Sequence, residues 1–407
     1  MDQLKKILQL PEVEKIFNAF GESSVFLVGG CVRDTLMNKL VTDIDFATPC
    51  EPLEVIEILN KSKINYVDIG IKFGTVTAIL NDKKYEITSF RKDISTDGRH
   101  AEVEFSKEME ADAARRDFTI NALYVDQDCK IYDFYNGQED LKNTILRFIG
   151  DPKARIKEDY LRIMRFFRFL ASNSVQSLND DLLTILKAEA PNLSIISKER
   201  LWDEFTEILK SENPITVLKL MQENSIFENI SEGLKIEESF ENLISIESKI
   251  KYVDPILRLS LLFDNKSKKI ENFVNNFPLS SKDSKALLQL GEMNEKIVSY
   301  LSMKEVRFLL YKIGVGNFKN QIVLNWARDV QNKNEVNWRS LYEVAISWER
   351  PKFDIESKDV IGMGVNEGPL VGSILKEVEE WWAENDFIDD KFSLIERLKA
   401  IVQARNL

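Results

Sequence analysis

The chain has 407 residues, 44% of them hydrophobic and 30% charged, with a formal net charge of −12. That profile fits a soluble globular protein with room for several compact units, and no apolar run is long enough to span a bilayer. The single histidine, His100, excludes hydrolases built on several His metal ligands, and no nucleophile-elbow pattern surrounds it to support Ser-His-Asp chemistry.

The opening residues mix charge with helical apolar spacing and lack a cleavage pattern, so no signal peptide is expected. A helix is predicted over roughly residues 2 to 19. The run SSVFLVGG then reads as a strand ending in Gly29-Gly30, and CVRDTLMN as the start of a helix. VTDIDFAT alternates as a strand would, carrying Asp43 and Asp45 two apart and therefore on one face. GTVTAIL and YEITSFR, separated by a polar turn, predict a β-hairpin that carries Glu86. The polar stretch RKDISTDGRHAEVEF is expected to be a loop leading into another strand. RRDFTINALYVD is expected to be a helix ending near Val125, and KIYDFYNG a last strand stopped at Gly137.

From about residue 139 the periodicity turns helical and stays so to the end. IKEDYLRIMRFFRFLA predicts one buried helix on which Asp159, Arg162, Arg165 and Arg168 recur every three residues between apolar neighbours. Arginines facing an interior require anionic partners, either acidic neighbours or a bound anion. Ser197 is a candidate N-cap for the helix after it. Trp381 and Trp382 read as core or interface packing. Residues 141–170 carry eight Lys/Arg against three Asp/Glu, a local basic footprint within an acidic chain. The three cysteines, Cys31, Cys50 and Cys129, show no metal spacing, and their sparse, odd number suits a reducing compartment, the cytoplasm.

Two neighbouring carboxylates such as Asp43 and Asp45 repel unless a cation neutralises them, and hard oxygen donors suit Mg²⁺. Alone, D-x-D is a common strand end. Here Gly29-Gly30-Cys31-Val32-Arg33-Asp34 precedes it. Glycines allow close approach of backbone N–H groups to phosphate, and Arg33 can add charge-assisted bonds. Arg116 can reach phosphate or sugar oxygens, and Asp117 can accept from a hydroxyl.

The combination resembles nucleotidyltransferases of the DNA polymerase β superfamily. More closely, it is similar to the class II tRNA nucleotidyltransferase and bacterial poly(A) polymerase family, in wording most like alphaproteobacterial versions. Three segments carry the resemblance over residues 23 to about 210: the Gly29–Asp45 stretch, Arg115–Leu123 and Glu158–Phe169. It implies an α+β chain with a polymerase-β-like head of mixed sheet and helices, followed by an all-α neck, body and tail. The expected boundaries are 1–138 for the catalytic head, 139–210 for a base-recognising neck, 211–330 for the body and 331–407 for an RNA-binding tail.

The implied activity is template-independent addition of C, C and A to tRNA from CTP and ATP, with two Mg²⁺ ions. Asp43, Asp45 and Glu86 would be catalytic, with Asp43 and Asp45 holding metal. Gly29, Gly30, Arg33, Arg116, Asp117, Asn121, Asp159, Arg162, Arg165 and Arg168 would bind nucleotide. In this reading Asp159 accepts from the exocyclic amine of C or A and Arg162 donates to the ring nitrogen. Asp97-Gly98-Arg99-His100 resembles the family's flexible loop, with Ala101 where Pro is common. Ile196–Arg200 followed by Glu204 resembles a family helix after the base-reading element, or is simply a capped amphipathic helix. The partners implied are tRNA, CTP and ATP, with no membrane and no protein partner. A poly(A) polymerase and a non-catalytic RNA-binding relative remain the alternatives.

Overall fold

A computed structural model of the chain describes residues 2–21, 24–96, 101–173, 179–263, 267–292, 297–331 and 334–405. The Asp97–His100 stretch therefore lies outside the described residues. The chain forms two compact units, one of Met1–Leu234 with Asn276–Pro278, the other of Lys235–Asn275 with Leu279–Leu407.

The first unit opens with two helices, α1 (Asp2–Leu8) and α2 (Pro11–Phe20), where one was expected. Pro11 is the cause. It has no N–H to donate to a preceding turn, so it starts a new helix rather than extending the old one. Then follow β1 (Phe26–Val28), α3 (Gly30–Leu36), β2 (Asp45–Thr48), α4 (Pro52–Lys61) and β3 (Asn65–Val67). The predicted hairpin is β4 (Thr75–Leu80) with β5 (Lys83–Ser89), paired antiparallel from Thr75–Thr88 to Leu80–Lys83.

The stretch expected to be a loop is instead β6 (Arg91–Thr96), which pairs with β7 (Ala101–Phe105) in a separate two-stranded sheet. Its polar composition masked the β-pairing. Next come α5 (Met109–Ala114), β8 (Leu123–Val125) and β9 (Ile131–Asp133). The main sheet has seven strands in the order β3-β4-β5-β2-β1-β8-β9. Only its central pair, β2 and β5, is parallel. Leu4, Val13, Ile16, Leu27, Phe46, Val55 and Ile87 pack in its core.

The segment Arg115–Val125 is not a helix. Phe118 runs extended in an antiparallel bridge with Phe148, where Thr119 N–H donates to the Arg147 carbonyl at 3.0 Å and Ile149 N–H to the Asp117 carbonyl at 3.0 Å. A 3₁₀ turn, Thr119–Asn121, then leads into β8. The apolar spacing that suggested a helix reflects burial from two sides, with Phe118 packed on Phe148 at 4.6 Å between ring centroids.

Helices follow: α6 (Gly137–Lys142), α7 (Pro152–Glu158), α8 (Leu161–Asn173), α9 (Asp180–Glu189) and α10 (Lys198–Lys210). The expected single helix over 156–171 is thus two. Asp159 interrupts it in an extended conformation (φ −154°, ψ 106°), and its Oδ1 accepts from Leu161 N–H at 3.1 Å at the start of α8. That is an aspartate acting as an N-cap, which competes with helical continuation. Ser197 caps α10 as expected, its hydroxyl accepting from Arg200 N–H.

The regular elements described in the second unit are all helices, joined by irregular segments. Val360, Ile374, Val378, Leu394 and Leu398 are buried in one of its cores, as is Trp382. The Trp382 ring meets Phe387 edge-on at 5.0 Å, and its indole N–H donates to the Asp389 carbonyl, so this tryptophan is packing. A second feature is fully sequestered: Arg258 and Glu247, each 1% exposed, pair at 2.6 Å.

Candidate active site

A cleft of about 550 Å³ in the first unit gathers residues from all three sequence motifs. Eight arginines line it (Arg33, Arg91, Arg115, Arg116, Arg162, Arg165, Arg168 and Arg200), against four acids, Asp45, Glu86, Asp117 and Asp159. In a chain of net charge −12 this is a pronounced local reversal, and it favours a polyanion.

The acidic end is built by the sheet. Asp45 is the first residue of β2, and in the parallel ladder it is the register partner of Glu86 on β5. Burial, with Glu86 and then Asp43 adding repulsion and Arg116 opposing it, pushes the Asp45 carboxyl up to about 6. Asp43 stands apart from the expectation in one respect. It precedes β2 rather than belonging to it, is exposed, and accepts from the Thr42 hydroxyl at 2.9 Å. The strand starts only at Asp45 because the buried run Phe46-Ala47-Thr48 holds it in the sheet. Strand alternation therefore does not relate the two aspartates. Among the described residues no three His, Cys, Asp or Glu side chains form a ready metal cluster.

Gly29 and Gly30 join β1 to α3 on the cleft wall. Gly29 has φ +70°, a backbone conformation that favours glycine, while a Cβ there would make only an ordinary 3.4 Å contact with Arg116 Nη1. Arg33 forks onto Asp34 with two 2.8 Å bonds and donates to Asn121 Oδ1 at 2.6 Å. Asn121 in turn donates to Asp117 Oδ1 at 3.0 Å. Burial would push the Asp117 carboxyl up, but the Arg165 guanidinium, with Asn121 and Phe118 N–H, holds it below its ordinary range.

On α8, Arg162, Arg165 and Arg168 share one half-buried face while Ile163, Met164, Phe166 and Phe167 are buried. Arg165 reaches Asp117 at 2.6 Å and Glu204 of α10 at 3.3 Å, and Arg168 reaches Glu204 at 3.1 Å. The guanidinium carbons of Arg33, Arg165 and Arg168 lie 4.8, 5.3 and 4.5 Å from the centre of the Phe169 ring. Three like charges around one ring, with partial acidic compensation, suit an incoming anion.

Asp159 and Arg162 both line the cleft but are not each other's partner. Asp159 Oδ2 accepts from Arg200 Nη2 at 2.6 Å. Arg162 donates to Glu158 at 2.6 Å and to the carbonyls of Arg155 and Arg115 at 2.9 and 3.0 Å. These anchors use only part of each group's bonding capacity, since a carboxylate offers about four acceptor sites and a guanidinium five donors.

Sequence reasoning missed Asp112 and Tyr124 behind the cleft. Asp112 is 1% exposed, pairs with Arg115 at 2.7 Å and Arg116 at 3.0 Å, and accepts from the Tyr124 hydroxyl at 2.6 Å. The signal was present: an aspartate three and four residues before two arginines meets both on a helix face.

Residues 25–147 match the family model described as poly A polymerase head domain, and residues 177–237 the one described as probable RNA and SrmB-binding site of polymerase A. A mitochondrial CCA tRNA nucleotidyltransferase 1 from Danio rerio is 30% identical over 91% of this chain and 86% of its own length. A CCA-adding enzyme from Ligilactobacillus salivarius is 31% identical over 99% of this chain and 98% of its own. The chain belongs to the CCA-adding tRNA nucleotidyltransferase family. The fold agrees with that of the family: the crystal structure of the Bacillus stearothermophilus CCA-adding enzyme in complex with CTP superposes with a TM-score of 0.77, at 24% identity, over 98% of this chain and 99% of that one.

Proposed function

We propose that this chain adds C, C and A, without a nucleic-acid template, to the 3′ end of tRNA from CTP and ATP. The observation that carries the reading is the cleft of the first unit, where an acidic pair on the sheet shares one cavity with an arginine-rich wall and the Asp159–Arg162 element. In the reaction the tRNA 3′-hydroxyl gives up its proton to water, its oxygen bonds to the α-phosphorus, the bond to the bridging oxygen of the β-phosphate breaks, and pyrophosphate leaves with its electron pair.

Gly29 and Gly30 let the triphosphate approach the main chain. Arg33 and Arg116 bind phosphate and sugar oxygens, and Asp117 and Asn121 hold the arginines and ribose in register. Arg165 and Arg168 extend the cationic wall. Asp159 accepts from the exocyclic amine of C or A and Arg162 donates to the ring nitrogen, an order that U and G do not match. Arg200 and Glu158 fix the two readers without exhausting them.

Asp43 and Asp45, with Glu86 adjacent, would hold two Mg²⁺ ions. The fit rests on the donor chemistry: hard carboxylate oxygens, with the Asp45 carboxyl pushed up to about 6 by burial and by the charges of Glu86 and Asp43, a repulsion that a bound cation would relieve. Mg²⁺ takes one or two protein carboxylates and completes its shell with phosphate and water, so a three-residue cage is not needed. When bound, it would acidify the attacking hydroxyl and neutralise the leaving pyrophosphate.

Residues 139–210 then serve as neck, 211–330 as body and 331–407 as tail for the RNA. No described helix is long and apolar enough to cross a membrane. The cytoplasm is the proposed location, supported by three cysteines that form no disulfide. A second reading, poly(A) addition, is favoured by the two family-model matches, whose descriptions name poly A polymerase and polymerase A. Purified protein given tRNA lacking CCA, with CTP alone and then ATP alone, tests the choice. Incorporation of two C residues supports CCA addition; long A tails with no C incorporation overturn it.

A further inference from the structure

Asp112 is the most completely enclosed acid near the cleft, yet it does not line it. It sits on α5, three and four residues before Arg115 and Arg116, so both side chains fold back onto it. Its two oxygens are divided between them. Oδ1 accepts from Arg115 Nε at 2.8 Å, and Oδ2 accepts from Arg116 Nη2 at 3.0 Å and from the Tyr124 hydroxyl at 2.6 Å. Arg116 Nε also donates to the Tyr124 oxygen at 2.9 Å.

Tyr124 is itself the register partner of Val28, the residue that precedes Gly29. The clamp is therefore tied through the sheet to the glycine turn. Arg116 Nη1 closes the loop, donating to the Asn121 carbonyl at 3.4 Å. One carboxylate here restrains two guanidiniums, which leaves a surplus positive charge aimed at the cleft. A buried pair of this kind is weak evidence for stability, because desolvation offsets much of the attraction. A fixed geometry for the arginine tips is what the arrangement provides.

We propose that Asp112, locked by the Tyr124 hydroxyl, is the positioning residue that aims Arg115 and Arg116 at the phosphates and ribose of the incoming nucleotide. The inference rests on Arg116 being a nucleotide ligand, and it adds Arg115 to that set. Asp112 itself touches no substrate.

The test compares Asp112→Asn, Tyr124→Phe and Arg116→Ala in the full-length protein. Three quantities are read: KM and kcat for CTP on tRNA lacking CCA, the affinity ratio of CTP to free cytidine by equilibrium dialysis, and the thermal unfolding curve. A purely structural residue would lower the melting temperature and leave the CTP-to-cytidine ratio alone. Asp112→Asn should raise KM for CTP at least tenfold and reduce that ratio severalfold, because the phosphate contacts are lost on CTP alone while the ribose contact is weakened on both ligands. Tyr124→Phe should shift both in the same direction by severalfold, and it decides the matter alone if Asp112→Asn does not fold. Wild-type KM and ratio in the folded variants, with both shifted in Arg116→Ala, would overturn the clamp. No shift in Arg116→Ala would instead bring down the nucleotide assignment, and the clamp with it.

Discussion

Asp45 and Glu86 are register partners on adjacent parallel strands, β2 and β5, in a sheet whose other pairings are all antiparallel. The parallel pair places two carboxylates from distant parts of the sequence side by side at one end of the cleft. Asp45 is the more enclosed of the two, and its acidity responds accordingly.

If these acids organise the reaction, Asp45→Asn should lower nucleotide addition by on the order of 10²- to 10³-fold, the size seen when one electrostatic stabiliser is lost. Asp43→Ala should act in the same direction. Circular dichroism should remain that of the parent, since Asp43 is exposed and Asp45 half-buried. Single-turnover addition of CMP measures the effect, and activity retained in Asp43→Ala would remove that residue from the assignment.

Arg162→Ala should weaken base choice while the fold survives. A good paired base contact is worth about 1–3 kcal/mol of discrimination, so preference for CTP over UTP should fall by roughly 5- to 150-fold. Competition between the two nucleotides on tRNA lacking CCA reads this directly. Unfolding of the variant at ambient temperature would mark Arg162 as a structural tie to Glu158 and the Arg155 and Arg115 carbonyls.

The chemistry-bearing residues were legible in the sequence because their types and order carry the signal, whereas their local conformations were less so. The hairpin that carries Glu86 and the arginine face of α8 follow from simple periodicity. The Arg115–Val125 segment misled because burial on two sides imitates helical spacing. Asp159 misled because an N-cap within an apolar-rich run looks continuous until its side chain is seen to cap α8. Asp112 lay outside every motif, and only the fold showed Tyr124 reaching it from β8. The Asp159–Arg200 pair spans 41 residues and depends on packing that spacing does not encode, whereas Glu158 and Arg162 stand four residues apart.

Acid should weaken the first unit through Asp112. Burial raises its pKa, but Arg116, Arg115 and the Tyr124 hydroxyl more than reverse this, to about 2 from an ordinary 3.8. A folded pKa below the unfolded one gives stability that is present above about pH 4 and is lost as pH falls through about 2. The contribution is on the order of 2 kcal/mol. Urea unfolding of the parent and Asp112→Asn between pH 5 and 2 should show the stability difference shrinking with acid. A difference independent of pH would contradict the ionised clamp.

In the second unit, removing Arg258 leaves the Glu247 carboxylate, whose side chain is 1% exposed, without its guanidinium partner. Arg258→Ala should therefore destabilise by about 3–5 kcal/mol. Replacing both residues with methionine should cost much less. Thermal unfolding of the single and double variants separates the two cases, and equal losses would show that the ion pair itself carries the stability.

The central claim is that this cleft builds a defined three-nucleotide end on RNA. The most direct measurement is to supply tRNA lacking its CCA end, with all four nucleoside triphosphates and Mg²⁺, and to sequence the 3′ termini of the products. The expected result is termination after C, C and A, lost in Asp45→Asn. Termini bearing U or G, or adenosine tracts of uncontrolled length, would contradict it.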